Sequence, residues 1–352
     1  MKAYVLEEFG KPLHERSMDV PAPAGKEVLV RVRSTGLCHS DLHFQDGYLS
    51  LGGDARLNLP DIGIVPPLIM GHETYGEIDD FGPDSGLTAA DKGRPVIVYP
   101  WLGCGTCGFC TSGRDNQCQA ARQIGVHDPG GHAELIIVRE PKFLVDATGI
   151  DPVIAGPYSC SGLTGYSALR KLGERQKEWI AIIGLGGVGL MTLAVAKGLG
   201  FEKVVVIDID DAKLATATAD YGADLAFNST HDDVADRIRT ETGGLSGVVD
   251  LVGSTESVGL GAGLLGQGGV YVSVGLFGGE LRFPLPPLAV MQLQFRGSFT
   301  GTLDELNELV ALVRQGKVKP IPTRTVPIDQ VNECIAELRG GKVSGRIVLT
   351  HA

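Results

Sequence analysis

Long apolar runs are missing from this chain. In 352 residues no stretch free of charges and turn formers approaches the roughly eighteen residues that a membrane-spanning helix needs, so a bilayer anchor is not expected. The opening segment MKAYVLEEFG holds one lysine and no apolar core of signal-peptide length; it reads as a first strand, and the cytoplasm is the expected compartment. Basic clusters are scarce as well. With a net charge of −11, a pI near 5.2 and no lysine or arginine run, the chain offers no evident face for a phosphate backbone, and no nucleic-acid partner is expected. Repeats and low-complexity segments are absent, and 43% hydrophobic residues over this length suffices for two globular cores. Cysteine is sparse, seven in all, and in a reducing compartment clustered ones are metal ligands before they are disulfides.

Glycine, by contrast, is abundant at fifty residues, so a glycine pattern carries weight only when its flanks agree. They agree in WIAIIGLGGVGLMTLAVAKGLGFEKVVVIDID, residues 179–210, which reads as strand, tight turn, helix, strand. Gly184, Gly186 and Gly189 follow the G-x-G-x-x-G spacing: the first permits the turn, the second lets backbone approach a pyrophosphate, the third allows helix and strand to touch. A helix opening near Gly187 aims its free N–H groups at that phosphate. Asp208 ends the next strand, nineteen residues past Gly189, where a carboxylate accepts hydrogen bonds from a ribose diol and repels a 2′-phosphate. The expected cofactor is therefore NAD in preference to NADP.

Up to about residue 150 the pattern is short strand and turn, with strands expected at 2–6, 27–34, 74–81, 94–99 and 133–138. That suggests an antiparallel, barrel-like unit. Residues 44–67, rich in Gly, Pro and Asp, read as a long loop lining a substrate channel. From about Cys160 helices (211–221, 233–241, 258–265) alternate with strands (248–252, 269–274), the rhythm of a doubly wound α/β domain. A helix at 304–314 and a strand at 346–350 form a tail assigned back to the first unit. The expected division is 1–159, 160–299 and 300–352.

Two groups of residues suit metals. Cys104, Cys107, Cys110 and Cys118 form C-x2-C-x2-C-x7-C in a glycine-rich loop. Four thiolates fill a tetrahedral Zn²⁺ site and leave no open position, so such an ion holds a loop together; an iron–sulfur cluster uses the same donors. The second group is scattered: Cys38-His39-Ser40-Asp41 with His43, then Gly71-His72-Glu73, then Cys160. A metal held by Cys38, His72 and Cys160 would lie between the two domains and keep one position for water or substrate. Asp41 could then hold the imidazole N–H of His72. Read alone, Ser40 would cap a helix beginning at Asp41, and His43 would be a solvated surface residue.

GLGGVG with Asp208, the four-cysteine loop, CHSD followed by His43, and GHE together resemble the zinc-dependent medium-chain alcohol dehydrogenases, over essentially the whole chain. The resemblance implies a GroES-like catalytic domain with a Rossmann nucleotide-binding domain, and two Zn²⁺ per subunit. It places catalytic zinc on Cys38, His72 and Cys160 with Glu73 as an exchangeable ligand, and structural zinc on Cys104, Cys107, Cys110 and Cys118. Ser40 would pass the alcohol proton toward the nicotinamide ribose, and His43 would end that relay. His39 and Arg346 would contact the pyrophosphate beside Gly187 and Val188. Thr164, Val274 and Leu276 would touch the nicotinamide, and Lys213 would touch the ribose beside Asp208. The implied substrates are small primary or secondary alcohols, aromatic and allylic ones included, and the implied assembly is a homo-oligomer, a tetramer before a dimer. Polyol dehydrogenases of this fold usually carry a carboxylate where this chain has Cys160, and zinc-free quinone reductases lack the GHE and four-cysteine signals.

Overall fold

The structure, a computed structural model, describes residues 1–351. Its first sheet has seven strands, six of them in the order Leu144–Asp146, Pro95–Val98, Glu73–Phe81, Val28–Gly36, Arg346–Thr350 and Thr323–Pro327. Leu135–Val138 joins by pairing with Val28–Gly36. All pairings are antiparallel except the last, between the two strands of the tail. Val28–Gly36 is the hub: seven of its nine residues are buried, and Gly36 lies opposite both Glu73 and Val348. The tail strand Arg346–Thr350 is thus carried into the heart of this sheet.

The second sheet is six-stranded and wholly parallel, in the order Leu225–Asn228, Lys203–Asp208, Trp179–Ile183, Leu245–Asp250, Leu265–Ser273, Gln294–Gly297. Runs such as VVVI at Val204–Ile207 are buried throughout, as expected of strands covered on both faces by helices. The chain leaves Trp179–Ile183 toward Lys203–Asp208 on one side and returns to Leu245–Asp250 on the other. The strand order therefore reverses there, and that reversal opens a crevice at the carboxyl ends of the strands. Among the described residues no helix is long and apolar enough to cross a membrane.

Two expectations are corrected, and one helix is added. Residues 44–67 are not a loop: the helix His39–Asp46 runs into them, followed by a hairpin of Tyr48–Gly52 with Ala55–Asn58 and a 3-10 turn at Leu59–Ile62. Turn-forming residues are concentrated there because the hairpin reverses at Gly52-Gly53-Asp54, and they mask its strands. Ser40 caps nothing. The helix starts at His39, and Asp41 Oδ2 accepts the Cys38 N–H at 2.9 Å across the first turn. The added helix, Ser161–Leu172, shows no one-sided periodicity because ten of its twelve residues are buried.

Candidate functional site

Pairing of two neighbouring strands builds the first metal-ligating cluster. Cys38 follows the end of Val28–Gly36; His72 directly precedes, and Glu73 begins, the strand that pairs with it, Gly36 opposite Glu73. A Cβ at Gly36 would fall 2.0 Å from Glu73 Oε2, so only glycine lets that carboxylate cross. Cys160 arrives at the head of helix Ser161–Leu172, whose approach is fastened by Ser159 Oγ donating to the His72 carbonyl (3.4 Å) and Ser161 N–H donating to Glu73 Oε1 (3.3 Å). Ligand atoms of Cys38, His72, Glu73 and Cys160 all lie within 4.8 Å of one another, and all four residues are buried.

The electrostatics suit a cation. The Cys160 thiol hydrogen-bonds Cys38 and holds it well below the ordinary thiol range, while Cys160 itself is raised by that contact and by burial. Burial opposes charge on His72, but the Asp41 carboxylate outweighs it and lifts the imidazole above its usual range. Asp41, fully buried, divides its two oxygens: Oδ2 fixes the Cys38 turn and Oδ1 faces His72 Nδ1 at 3.4 Å. Burial raises Glu73 to about 7, against the pull of the buried Arg346 guanidinium paired with it. Two thiols, an imidazole and a carboxylate, buried together beside the Arg346 guanidinium, are the donor chemistry of a zinc site.

The four cysteines of the glycine-rich loop converge as a second cluster. Cys104 and Cys110 sulfurs are 3.9 Å apart, Cys107 and Cys110 3.6 Å, and Cys107 and Cys118 3.8 Å. Four sulfurs about 2.3 Å from one tetrahedral Zn²⁺ stand about 3.8 Å apart, so these spacings fit an ion and are far too long for disulfides.

The glycine turn closes the same cleft. Strand Trp179–Ile183 ends at Gly184, and helix Gly187–Gly198 begins beside it. Asp208 Oδ2 accepts the Leu185 N–H at 2.5 Å and Oδ1 the Asp210 N–H at 3.0 Å, so this carboxylate also holds the turn in shape. Arg346 packs on Gly187, which has no room for a Cβ beside the arginine Cδ. One cavity of about 1120 Å³ runs from Cys38, His72 and Cys160 to the turn. Its wall includes His39, Ser40, His43, Thr164, Gly184, Gly186, Gly187, Val188, Gly189, Asp208, Lys213, Val274, Leu276 and Arg346. His43 is half-buried in that wall, and the expectation of a solvated surface residue is corrected.

Residues 24–148 match the alcohol dehydrogenase GroES-like domain, and residues 187–315 match the zinc-binding dehydrogenase model. An NAD-dependent alcohol dehydrogenase of Sulfurisphaera tokodaii is 34% identical over 352 residues, 99% of each chain. The chain belongs to the zinc-binding alcohol dehydrogenase family. It is an oxidoreductase of that family, with a GroES-like unit and a Rossmann-type parallel sheet. The crystal structure of the alcohol dehydrogenase from Aeropyrum pernix has a TM-score of 0.88 at 30% identity and covers 100% of both chains. A D-arabinose 1-dehydrogenase (NADP⁺) of Saccharolobus solfataricus is 31% identical over 99% of this chain and 97% of its own.

Some of the site was not visible in the sequence. The pairing of Arg346 with Glu73 joins residues 273 positions apart, and no local signal marks it. Ser298, Phe299 and Thr300 line the cavity from a segment of no recognisable pattern. Gly36 carried a usable signal, a glycine two residues before a candidate ligand at a strand end.

Proposed function

We propose that this protein is an NAD-dependent, zinc-dependent dehydrogenase that reversibly oxidises primary or secondary alcohols, aromatic and allylic ones included. The supporting observation is the single cavity that joins the Cys38, His72, Cys160 cluster to the glycine turn. In this reading Cys38, His72 and Cys160 hold the catalytic Zn²⁺ with Glu73 as exchangeable partner, and the four-cysteine loop holds a structural one. The ion supplies a Lewis acid that acidifies an alcohol, as it takes water from about 15.7 to about 7, and NAD⁺ supplies the hydride acceptor.

The chain's own residues do the rest. Asp41 fixes the tautomer and direction of His72. Ser40 Oγ, 3.8 Å from Cys38 Sγ, takes the alcohol proton. His43, on the same helix, returns a proton to solvent; burial and then the neighbouring His39 hold it below the ordinary imidazole value of 6.5, so at neutral pH its lone pair is free. Asp208 and Lys213 receive the adenosine ribose, Arg346 and His39 the pyrophosphate, and Thr164, Val274 and Leu276 the nicotinamide. Beyond the ligands the wall is mostly apolar, with Phe44, Leu49, Ile64, Trp101, Ile124 and Phe299 beside a few polar groups, Gln123, His127, Ser298 and Thr300. That lining favours alkyl and aromatic alcohols over the sugar of the arabinose relative.

Purified protein with bound zinc, NAD⁺ and a panel of alcohols is expected to develop the absorbance of reduced nicotinamide; no turnover with any alcohol or aldehyde would sink the proposal. His43→Gln is expected to lower kcat about tenfold to a hundredfold, with partial rescue by small diffusible bases. In the parent, the acid limb of kcat against pH belonging to this imidazole lies below 6.5. Loss without rescue would take His43 out of proton transfer. A homo-oligomer draws support from the open edge strand Gln294–Gly297 and from Leu281, Leu285 and Val290, exposed in the segment that leads to it.

A further inference from the structure

Residues 298–300 form a wall of the cavity that its own packing does not explain. Thr300 is β-branched yet sits at φ 49°, in the left-handed region that such residues avoid. Its hydroxyl is buried without a partner, as is that of Ser298, so neither side chain compensates for the backbone. Phe299 between them is 55% exposed and meets Trp101 edge-on at 6.3 Å. A ring so little covered is aimed by its backbone, and a strained backbone persists only where neighbours hold it.

Three hydrogen bonds from outside do so. Ser298 N–H donates to the Ser273 carbonyl at 2.9 Å, continuing the pairing of the last two sheet strands. The Asn116 side-chain amide donates to the Phe299 carbonyl at 3.1 Å. The Tyr99 hydroxyl donates to the Gly301 carbonyl at 2.8 Å. Asn116 belongs to the four-cysteine loop, between Cys110 and Cys118. Tyr99 is fully buried, with Trp101 edge-on at 5.7 Å and Phe143 stacked at 6.2 Å.

We propose that Asn116 and Tyr99 are positioning residues for the Trp101–Phe299 wall, so that the four-cysteine loop takes part in deciding which alcohols are oxidised. The substrate half of this claim rests on the dehydrogenase reading above; the position of the wall does not. With either hold removed, the peptide at Phe299–Thr300 relaxes and the phenyl ring leaves Trp101. An aromatic alcohol loses the surface that orients it. A small alcohol, which does not reach the wall, keeps its geometry.

Asn116→Asp preserves size but cannot donate to a carbonyl, and Tyr99→Phe preserves the ring. For the holoenzyme, kcat/KM for benzyl alcohol relative to ethanol is expected to fall about tenfold in each variant, with kcat for ethanol within about twofold of the parent. The second readout needs no turnover. The chain has two tryptophans, so in a Trp179→Phe background the emission is that of Trp101, which is 5% exposed. Its quenching by acrylamide is expected to rise in both variants. A selectivity ratio or a quenching constant that stays at the parent value in both variants overturns the proposal. If the parent itself oxidises neither alcohol, the dehydrogenase reading fails instead, and the quenching arm alone decides the wall.

Discussion

Cys160→Ala is expected to lower kcat by at least about 10⁴-fold while leaving NAD binding measurable and close to that of the parent. The Lewis acidity at stake spans about nine pKa units for water, so losing a fraction of it has an effect of this size. Glu73, the exchangeable partner of that ion, does not make up for a permanent thiolate, because staying on the metal would give up its other contacts. Its carboxylate is committed to Arg346 and to the Ser161 N–H, and breaking a buried ion pair costs about 3–5 kcal/mol. The change is conservative for the fold, since alanine fits where cysteine was and helix Ser161–Leu172 keeps its own contacts. Metal analysis is expected to show one ion lost per subunit and the four-cysteine ion retained. A variant that still turns over, or that loses its metal from the four-cysteine loop instead, would show that the catalytic ion is held elsewhere.

The second large effect separates two glycines that look alike in sequence. A Cβ at Gly189 would sit 1.7 Å from the Gly184 carbonyl oxygen, within the covalent framework of the turn. Gly189→Ala is therefore expected to destabilise the fold by about 3 kcal/mol or more, seen as a lower melting temperature with or without nucleotide. At Gly186 a Cβ would meet nothing within 4 Å, because that side faces the cavity. Gly186→Ala is expected to change stability by no more than about 0.5 kcal/mol and yet to weaken NAD about a hundredfold, the methyl group standing where the pyrophosphate approaches. Thermal melts paired with nucleotide titration distinguish the two. Gly186→Ala protein that binds NAD as the parent does would remove the turn from the phosphate site.

Arg346 illustrates how far local reading reaches. Its place on a strand at 346–350 follows from the apolar run IVL, and the observed strand is Arg346–Thr350. Nothing nearby in the chain indicates that its guanidinium is buried against Glu73 and on Gly187 at once, because both neighbours arrive from other parts of the chain. The hairpin at Tyr48–Gly52 and Ala55–Asn58 was obscured for a different reason. Its exposed, glycine-bounded strands bury little, so they lack the two-residue alternation that a half-buried strand would show.

The amino-acid order alone determined whatever depends on neighbours a few positions apart: the glycine turn with its strand and helix, and the close spacing of four thiols in one short loop. Backbone geometry over ten or twenty residues leaves few alternatives there. The tertiary structure decided everything that required distant segments to meet. It set the convergence of Cys38, His72 and Cys160, the burial of Arg346 beside Glu73, and the hold of Asn116 on the wall at Phe299. Such contacts are stabilised by strand pairing and burial across the whole fold, and no local stretch of chain contains the information that two far-apart side chains share a place.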